Sequence, residues 1–464
     1  MAAPHHVAVI DIGKTNAKLA LVDAEALRET AVLKTPNRVV NGAPYPHHDV
    51  DRLWSFILDG LAEFARAQTI GAISVTTHGA TAALLDADGK LALPILDYEH
   101  DGPDALAGEY DALRPPFSET GTPRLPLGLN LGAQLHWQAR AFPEHFAAVR
   151  SILPYPQYWA WRLSGVEATE VTSLGCHTDL WNPGKADFSQ MVDAMGWREL
   201  MPPLRAAGDR LGPILPAIAR RTGLDPQTPV LCGLHDSNAS LLPHLLARKQ
   251  PFSVVSTGTW VVAMAVGGRR QQLDETRDTL MNVSAVGTPT PSARFMGGRE
   301  HEMLTGGLDA DWSQDDVEGV LAGQILLLPS VQQGSGPFPR AQARWAGRRE
   351  PSPGERRAAA SFYLALMTAT CLDLIGAEGE IVVEGPFGGN RLFTDMLAAA
   401  AGRDVVSQDG QTTGTTIGAA LVSGIAPACP ARPGRAAPGQ AGEAWVRYAR
   451  AWRDACGEHT AKSL

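Results

Sequence analysis

A strand–turn–strand pattern that occurs twice, far apart in the chain, constrains the fold most. Residues 7–10 form a short β-branched apolar run, then a Gly-containing turn leads into Lys18-Leu19-Ala20-Leu21-Val22. The stretch FSVVSTGTWVVAMAV (252–266) repeats the arrangement, with Gly258 at its turn. Short apolar runs bounded by glycine and small polar residues read as paired strands. Their recurrence predicts a duplicated architecture. AISVTTHGATAALLD (72–86) reads as a further strand, turn and strand.

Helical spacing occupies the intervals. Residues 49–68 place Leu53, Phe56, Ile57, Leu61 and Phe64 on one face, with Asp49 or Asp51 as N-cap. Residues 355–376 form a more uniformly apolar helix, which predicts burial. It leads into EIVVEGPFGGNRLFTDMLAAAAG, a strand, Gly-rich turn and helix. Strands mixed with helices throughout indicate an α/β protein whose sheets are covered by helices. Residues 331–357, rich in Gly, Pro, Gln and Arg, predict an irregular connection, and 425–444 a loop. With 464 residues there is room for two or three domains. The expected boundary lies near 240–250, just before the second strand–turn–strand unit.

Composition narrows the class of function. At 44% hydrophobic and 19% charged, the chain is an ordinary globular sequence. A net charge of -9 and no long Lys/Arg run argue against nucleic-acid or anionic-membrane partners. The five cysteines are scattered without metal-type spacing, so free thiols in a reducing cytoplasm are expected. No apolar run approaches the roughly 18 residues of a membrane span, and a strand beginning at Val7 leaves no room for a signal peptide.

Gly13-Lys14-Thr15 invites comparison with a P-loop. That motif needs a glycine five residues before Gly13, where Ala8 lies inside the apparent strand. The segment after Thr15 also alternates like a strand instead of opening a helix. What remains is a hairpin tip carrying Asp11, Gly13, Lys14, Thr15 and Asn16. Such a tip permits close backbone approach to phosphate oxygens. Asp11 is suited to hydrated Mg²⁺, and Lys14 and Lys18 to anionic charge. A polar hairpin with solvated lysines is the alternative this stretch leaves open.

Taken together, DIGKTN, GLHDSNAS, STGTW and EGPFGGN resemble the FGGY family of sugar kinases, within the actin/hexokinase/Hsp70 superfamily. VTTHGATAALLD, PQYWAWRLSG and TTGTTIGAAL fall in the family's order, so the resemblance covers nearly the whole chain. HDSNAS and STGTW look most like the L-rhamnulose and L-fuculose kinase branch. The resemblance implies two actin-like (ribonuclease H-like) domains with a central cleft. Residues 1–243 would carry the sugar site, the first phosphate motif and the catalytic carboxylate. Residues 244–464 would carry the second phosphate and adenosine motifs.

The resemblance also assigns roles. Asp11 would organise Mg²⁺, with Gly13, Lys14, Thr15 and Lys18 facing the phosphates of ATP. Residues 256–259, with Thr257, Gly258 and Thr259, would grip the same phosphates. Gly388, Gly389 and Asn390 match the adenosine-binding turn. Asp236 matches the catalytic carboxylate: a sugar hydroxyl ionises too weakly at neutral pH, and a carboxylate in reach accepts its proton. His235, Thr77, His78 and Gly79 would face the sugar. In ILDYEH, Asp97 stands where many relatives carry Trp, and Glu99 where they carry a substrate-binding Asp. Glu99 keeps the carboxylate on a longer arm.

The implied activity is ATP-dependent phosphorylation of a small ketose, L-fuculose or L-rhamnulose being favoured. The implied enzyme is cytoplasmic, with a sugar and ATP as its ligands and room for a homodimer. Two other readings compete: a non-catalytic sugar- or nucleotide-sensing relative, which intact Asp11 and Asp236 disfavour, and an actin- or Hsp70-like ATPase module. Residues 46–49, Pro-His-His-Asp, lack partners at metal-site spacing and read as a helix entry. The basic stretch RWAGRRE (344–350) reads as a solvated loop.

Overall fold

Alternation along the first strand decides how the first sheet is covered. In β1 (His6–Ile12), Ala8, Ile10 and Ile12 enter one apolar cluster, while Val7 and Val9 enter another. Successive side chains point to opposite faces, so both faces of this strand are buried. β1 pairs antiparallel with β2 (Asn16–Asp23), and β2 with β3 (Arg28–Pro36). Helix α1 (Val50–Ala67) lays Leu53, Ile57, Leu61 and Phe64 on the first face. Asp49 is its cap, accepting the Arg52 N–H at 3.2 Å.

The structure is a computed structural model that describes residues 5–306, 311–347, 349–407, 414–424, 435–437 and 442–457. Cys429, Thr412, Thr413 and most of the 425–444 segment lie outside the described residues. The four described cysteines with assigned state, Cys176, Cys232, Cys371 and Cys456, are free thiols. Among the described residues no helix is long and apolar enough to cross a membrane.

The far edge of β1 is taken by β4 (Ala72–Thr77), running parallel. β5 (Ala82–Leu85) follows but joins a separate sheet with β6 (Leu91–Leu93) and β7 (Ser151–Pro154). Helix α2 (Tyr155–Ser164) adds Tyr155, Tyr158, Trp159 and Leu163 to the first face. Beyond the short helix α3 (Val171–Leu174) come β8 (Arg210–Pro213), β9 (Pro229–Leu231) and β10 (Leu234–His235). The finished sheet runs β8-β9-β4-β1-β2-β3, with β10 also beside β4. Helix α4 (Asp236–Ala247) begins at the residue after β10.

A second sheet repeats the plan. β11 (Phe252–Thr257) and β12 (Val261–Val266) form the hairpin expected from the sequence. β13 (Thr279–Val283), β14 (Pro289–Phe295), α5 (Gly297–Thr305) and α6 (Pro353–Leu374) follow. Then come β15 (Glu380–Glu384), α7 (Arg391–Ala401), β16 (Val405–Ser407), α8 (Gly414–Leu421), β17 (Arg435–Ala436) and α9 (Gly442–Ala455). The order is β13-β14-β12-β11-β15-β16-β17. Like the first sheet, it has an antiparallel pair β12–β11, two parallel strands, and an antiparallel edge strand. Helix α6 is apolar all round because it is buried: Phe362, Leu364 and Leu366 share a cluster with Val255, Ile381 and Val383.

By contacts the chain forms two units, Met1–Ala247 with Met281–Pro289 and Thr412–Pro430, and Arg248–Leu280 with Thr290–Gln411 and Ala431–Leu464. Helix α8 therefore belongs to the first unit, where Ile417, Ala419, Ala420 and Leu421 cover Val7, Val9, Leu234 and Leu242. The stretch 331–357 is more ordered than its composition suggests. Residues 344–346 pair with 326–328, and Arg349 reaches the carboxylate of Glu355 (Nη1–Oε2 2.7 Å), the residue that closes the capping box of α6. Of RWAGRRE, residues 344–346 are therefore a strand where a loop is expected, while Arg344, Gly347, Arg349 and Glu350 are exposed, as a solvated stretch requires.

Candidate active site

Three neighbouring parallel strands of the first unit end at one place. β1 delivers Asp11 opposite Thr76 of β4, and β10 sets Leu234 opposite Thr76 and His235 opposite Thr77. Asp11, the Thr77-His78-Gly79 turn and the His235-Asp236 pair therefore meet at the carboxyl ends of the strands, where open α/β sheets hold their ligands. Gly79 is needed for the fit: a Cβ there would lie 2.8 Å from His235 Nε2.

Asp236 opens α4. Its Oδ1 lies 3.3 Å from His235 Nε2 and accepts from the Ser237 hydroxyl at 3.3 Å. Protein surrounds the carboxylate on most sides, yet 30% of its side-chain surface stays open. Burial raises its pKa. His78 and His235 are both held neutral, pushed down to about 4 chiefly by burial. His78 Nδ1 donates to Gly79 O at 2.9 Å, while its Nε2 is buried without a partner. The rings of His48, Tyr98 and Tyr155 enclose it at 5.2–5.4 Å between centroids.

Asp11 faces the side of the sheet covered by α8, whose Thr416 hydroxyl approaches its Oδ2 at 3.5 Å. Lys18 lies across the ladder from Asp11, 3.6 Å from its Oδ2 and 3.0 Å from Glu29 Oε1. Even so, Asp11 is pushed up to about 6: burial outweighs the attraction of Lys18, and repulsion from Asp236 adds to the rise. A buried carboxylate held this high gains by meeting a cation, so its donor chemistry suits Mg²⁺.

The sequence led us to expect Lys14 among phosphates. In the structure its ammonium is bonded to Asp97, lies 3.3 Å from Glu99 Oε2, and stands 4.7 Å above the Tyr98 ring. Asp97 is thus the partner of Lys14, and Glu99 is brought to the same cluster. Thr15 is exposed at the tip, and the Gly13 N–H closes the turn on Asn16 O at 2.9 Å.

In the second unit the Thr257 hydroxyl turns inward. It donates to Glu384 O at 2.6 Å and accepts the Phe387 N–H at 3.1 Å, fastening the hairpin to the turn after β15. Gly258 and Thr259 stay exposed. They line a groove of about 410 Å³ with Gly298, Arg299, His301 and Phe387. Gly388 and Gly389 line a second groove of about 300 Å³. Asn390 serves as the N-cap of α7, accepting the Phe393 N–H at 3.2 Å, and its amide donates to Ser361 Oγ.

Sequence reasoning passed over several residues here. Thr416 lay inside a quoted motif without a role. Gln157, inside the quoted PQYWAWRLSG, and Thr172 gave no signal of a role, because what marks them is their approach to backbone more than sixty positions away; Glu170 is marked only by its full burial beside Thr172.

Residues 6–243 match the N-terminal domain of the FGGY family of carbohydrate kinases, and residues 249–432 match the FGGY C-terminal domain. A solved structure of a carbohydrate kinase from Novosphingobium aromaticivorans is 38% identical, with a TM-score of 0.89 over 97% of this chain and 100% of that one. L-fuculokinase of Salmonella typhi is 24% identical over 271 residues, covering 57% of each protein. A probable L-xylulose kinase of Pasteurella multocida is 27% identical over 281 residues, 57% of this chain and 56% of that protein. The chain spans just over half the length of these curated relatives. Matches to both domains, together with a relative more than a third identical over its whole length, have one meaning: the chain belongs to the FGGY family of carbohydrate kinases.

Proposed function

We propose that the protein transfers the terminal phosphoryl group of ATP to a hydroxyl of a small ketose, with Asp236 as general base. The observation that carries this reading is Asp236 itself, a largely enclosed carboxylate with an open edge and two neutral histidines beside it. Burial raises its proton affinity toward that of a useful base. A metaphosphate-like transfer otherwise depends on alignment and charge neutralisation. Asp11 would hold Mg²⁺, which when bound offsets phosphate charge. His78 Nε2, the Gly79 turn, His235 and Glu99 would orient the sugar, with Lys14 acting from the acceptor side through Asp97 and Glu99.

Residues 1–243 would form the sugar-binding domain, with the first phosphate motif of Gly13, Thr15 and Lys18. Residues 244–464 would form the nucleotide domain, with Gly258 and Thr259 offering backbone N–H groups to phosphate and Gly388 and Gly389 admitting the purine. L-fuculose is favoured by the fuculokinase relative, with L-rhamnulose and L-xylulose next. A coupled ATP-consumption screen over L- and D-ketoses tests the reading. Turnover should appear with one of them and fall by more than about a thousandfold in Asp236→Ala, with ATP binding retained. Failure of every ketose would favour a sensor.

A further inference from the structure

The segment that delivers Asp236 has little secondary structure of its own. β10 is two residues long and pairs with β4 only through Leu234 and His235. Just before it, Gly233 takes φ +82°, and a Cβ there would lie 2.4 Å from Val75 O. So short a ladder holds its last residue weakly, yet base catalysis needs that residue set to within a fraction of an ångström.

Two buried side chains supply what the ladder lacks. Gln157 of α2, fully buried, donates from Nε2 to the carbonyls of Cys232 and Gly233, each at 3.1 Å. From the other side, the Thr172 hydroxyl oxygen accepts the His235 N–H at 3.0 Å. The His235 N–H can only donate, and the hydroxyl that receives it is fixed in place by Glu170, also fully buried. Its Oε2 takes the proton of the Thr172 hydroxyl at 2.5 Å, and also accepts the Thr172 and Ser173 N–H groups at 3.0 and 3.3 Å. A hydroxyl has one proton. Once it is given to Glu170, the oxygen can only accept, and the His235 N–H is the donor it meets. Capping the four-residue α3 needs no carboxylate at full burial, since Ser or Thr caps as well.

We propose that Gln157 and the Glu170–Thr172 pair are positioning residues for Asp236, clamping the backbone of residues 232–235 so that its carboxylate leaves α4 at a set point. The kinetic consequence rests on the kinase reading; the clamp itself does not. Thr172→Val removes the acceptor for His235 while leaving both backbone N–H groups on Glu170. Thr172→Ser restores it. In the full-length protein, amide exchange in the peptide covering 232–238 should quicken by more than about tenfold in Thr172→Val and return in Thr172→Ser. With whichever ketose the wild type phosphorylates, kcat should fall about tenfold or more in Thr172→Val, with KM for ATP unchanged, and recover in the serine variant. Unchanged exchange in Thr172→Val overturns the proposal. So does a kcat loss that serine fails to rescue. Should the wild type phosphorylate no ketose, the kinase reading fails and the exchange measurement alone decides the clamp.

Discussion

At the scale of single residues, charge partners were the least legible feature. Lys14 is three positions from Asp11 in sequence, yet its ammonium is satisfied by Asp97 and Glu99, more than eighty positions on. A lysine stem reaches in any direction, and only the packed loops show which carboxylates lie within its arc. The protonation of Glu170 is decided in the same way, by burial that no local pattern reveals. Burial pushes it up from 4.5 to about 7, its hydrogen bonds opposing the rise. The folded protein therefore keeps a proton that the unfolded chain releases between about pH 4.5 and 7. Native stability from this group is present below that window and lost as pH rises through it. In Glu170→Gln the loss is absent, while every other titration is shared. Urea melts at about pH 5 and pH 8 should show the stability difference moving in the variant's favour by about 2–3 kcal/mol.

Among elements, the first hairpin was readable because its strands alternate and its turn carries glycine, but partner choice was not. The stretch 72–86 was read as strand, turn and strand, and both strands exist. They do not pair, since β1 occupies one edge of β4 and β9 and β10 the other, leaving no free edge for β5. The crossing of α4 and α8 shows a related limit. GTTIGAAL forms α8, but nothing local says that Gly418 meets a backbone: a Cβ there would lie 1.7 Å from Ala239 O. Gly418→Ala must push α8 off the helix that carries Asp236. We expect a destabilisation of about 2–3 kcal/mol or more in urea unfolding, against the small gain that Gly→Ala gives in an open helix.

On the scale of the whole molecule, each sheet has its own core, but the chain does not finish one unit before beginning the next. The second face of the first sheet is covered by α4 and by α8, some 170 positions later. A fragment ending at residue 247 would leave Val7, Val9, Val22 and Leu234 without Ile417 and Leu421 above them. That fragment should lack a cooperative thermal transition by circular dichroism, or melt at least about 10 °C below the full chain. By itself the sequence determined the period-two strands, the helix capped at Asp49, the duplicated hairpins and the family, since each is written in neighbouring residues or in motifs kept in order. Tertiary structure alone decided which strand ends converge, where Lys14 turns, and how residues 232–235 are held. Those outcomes depend on contacts between residues far apart in the chain, and on the burial that sets their charge.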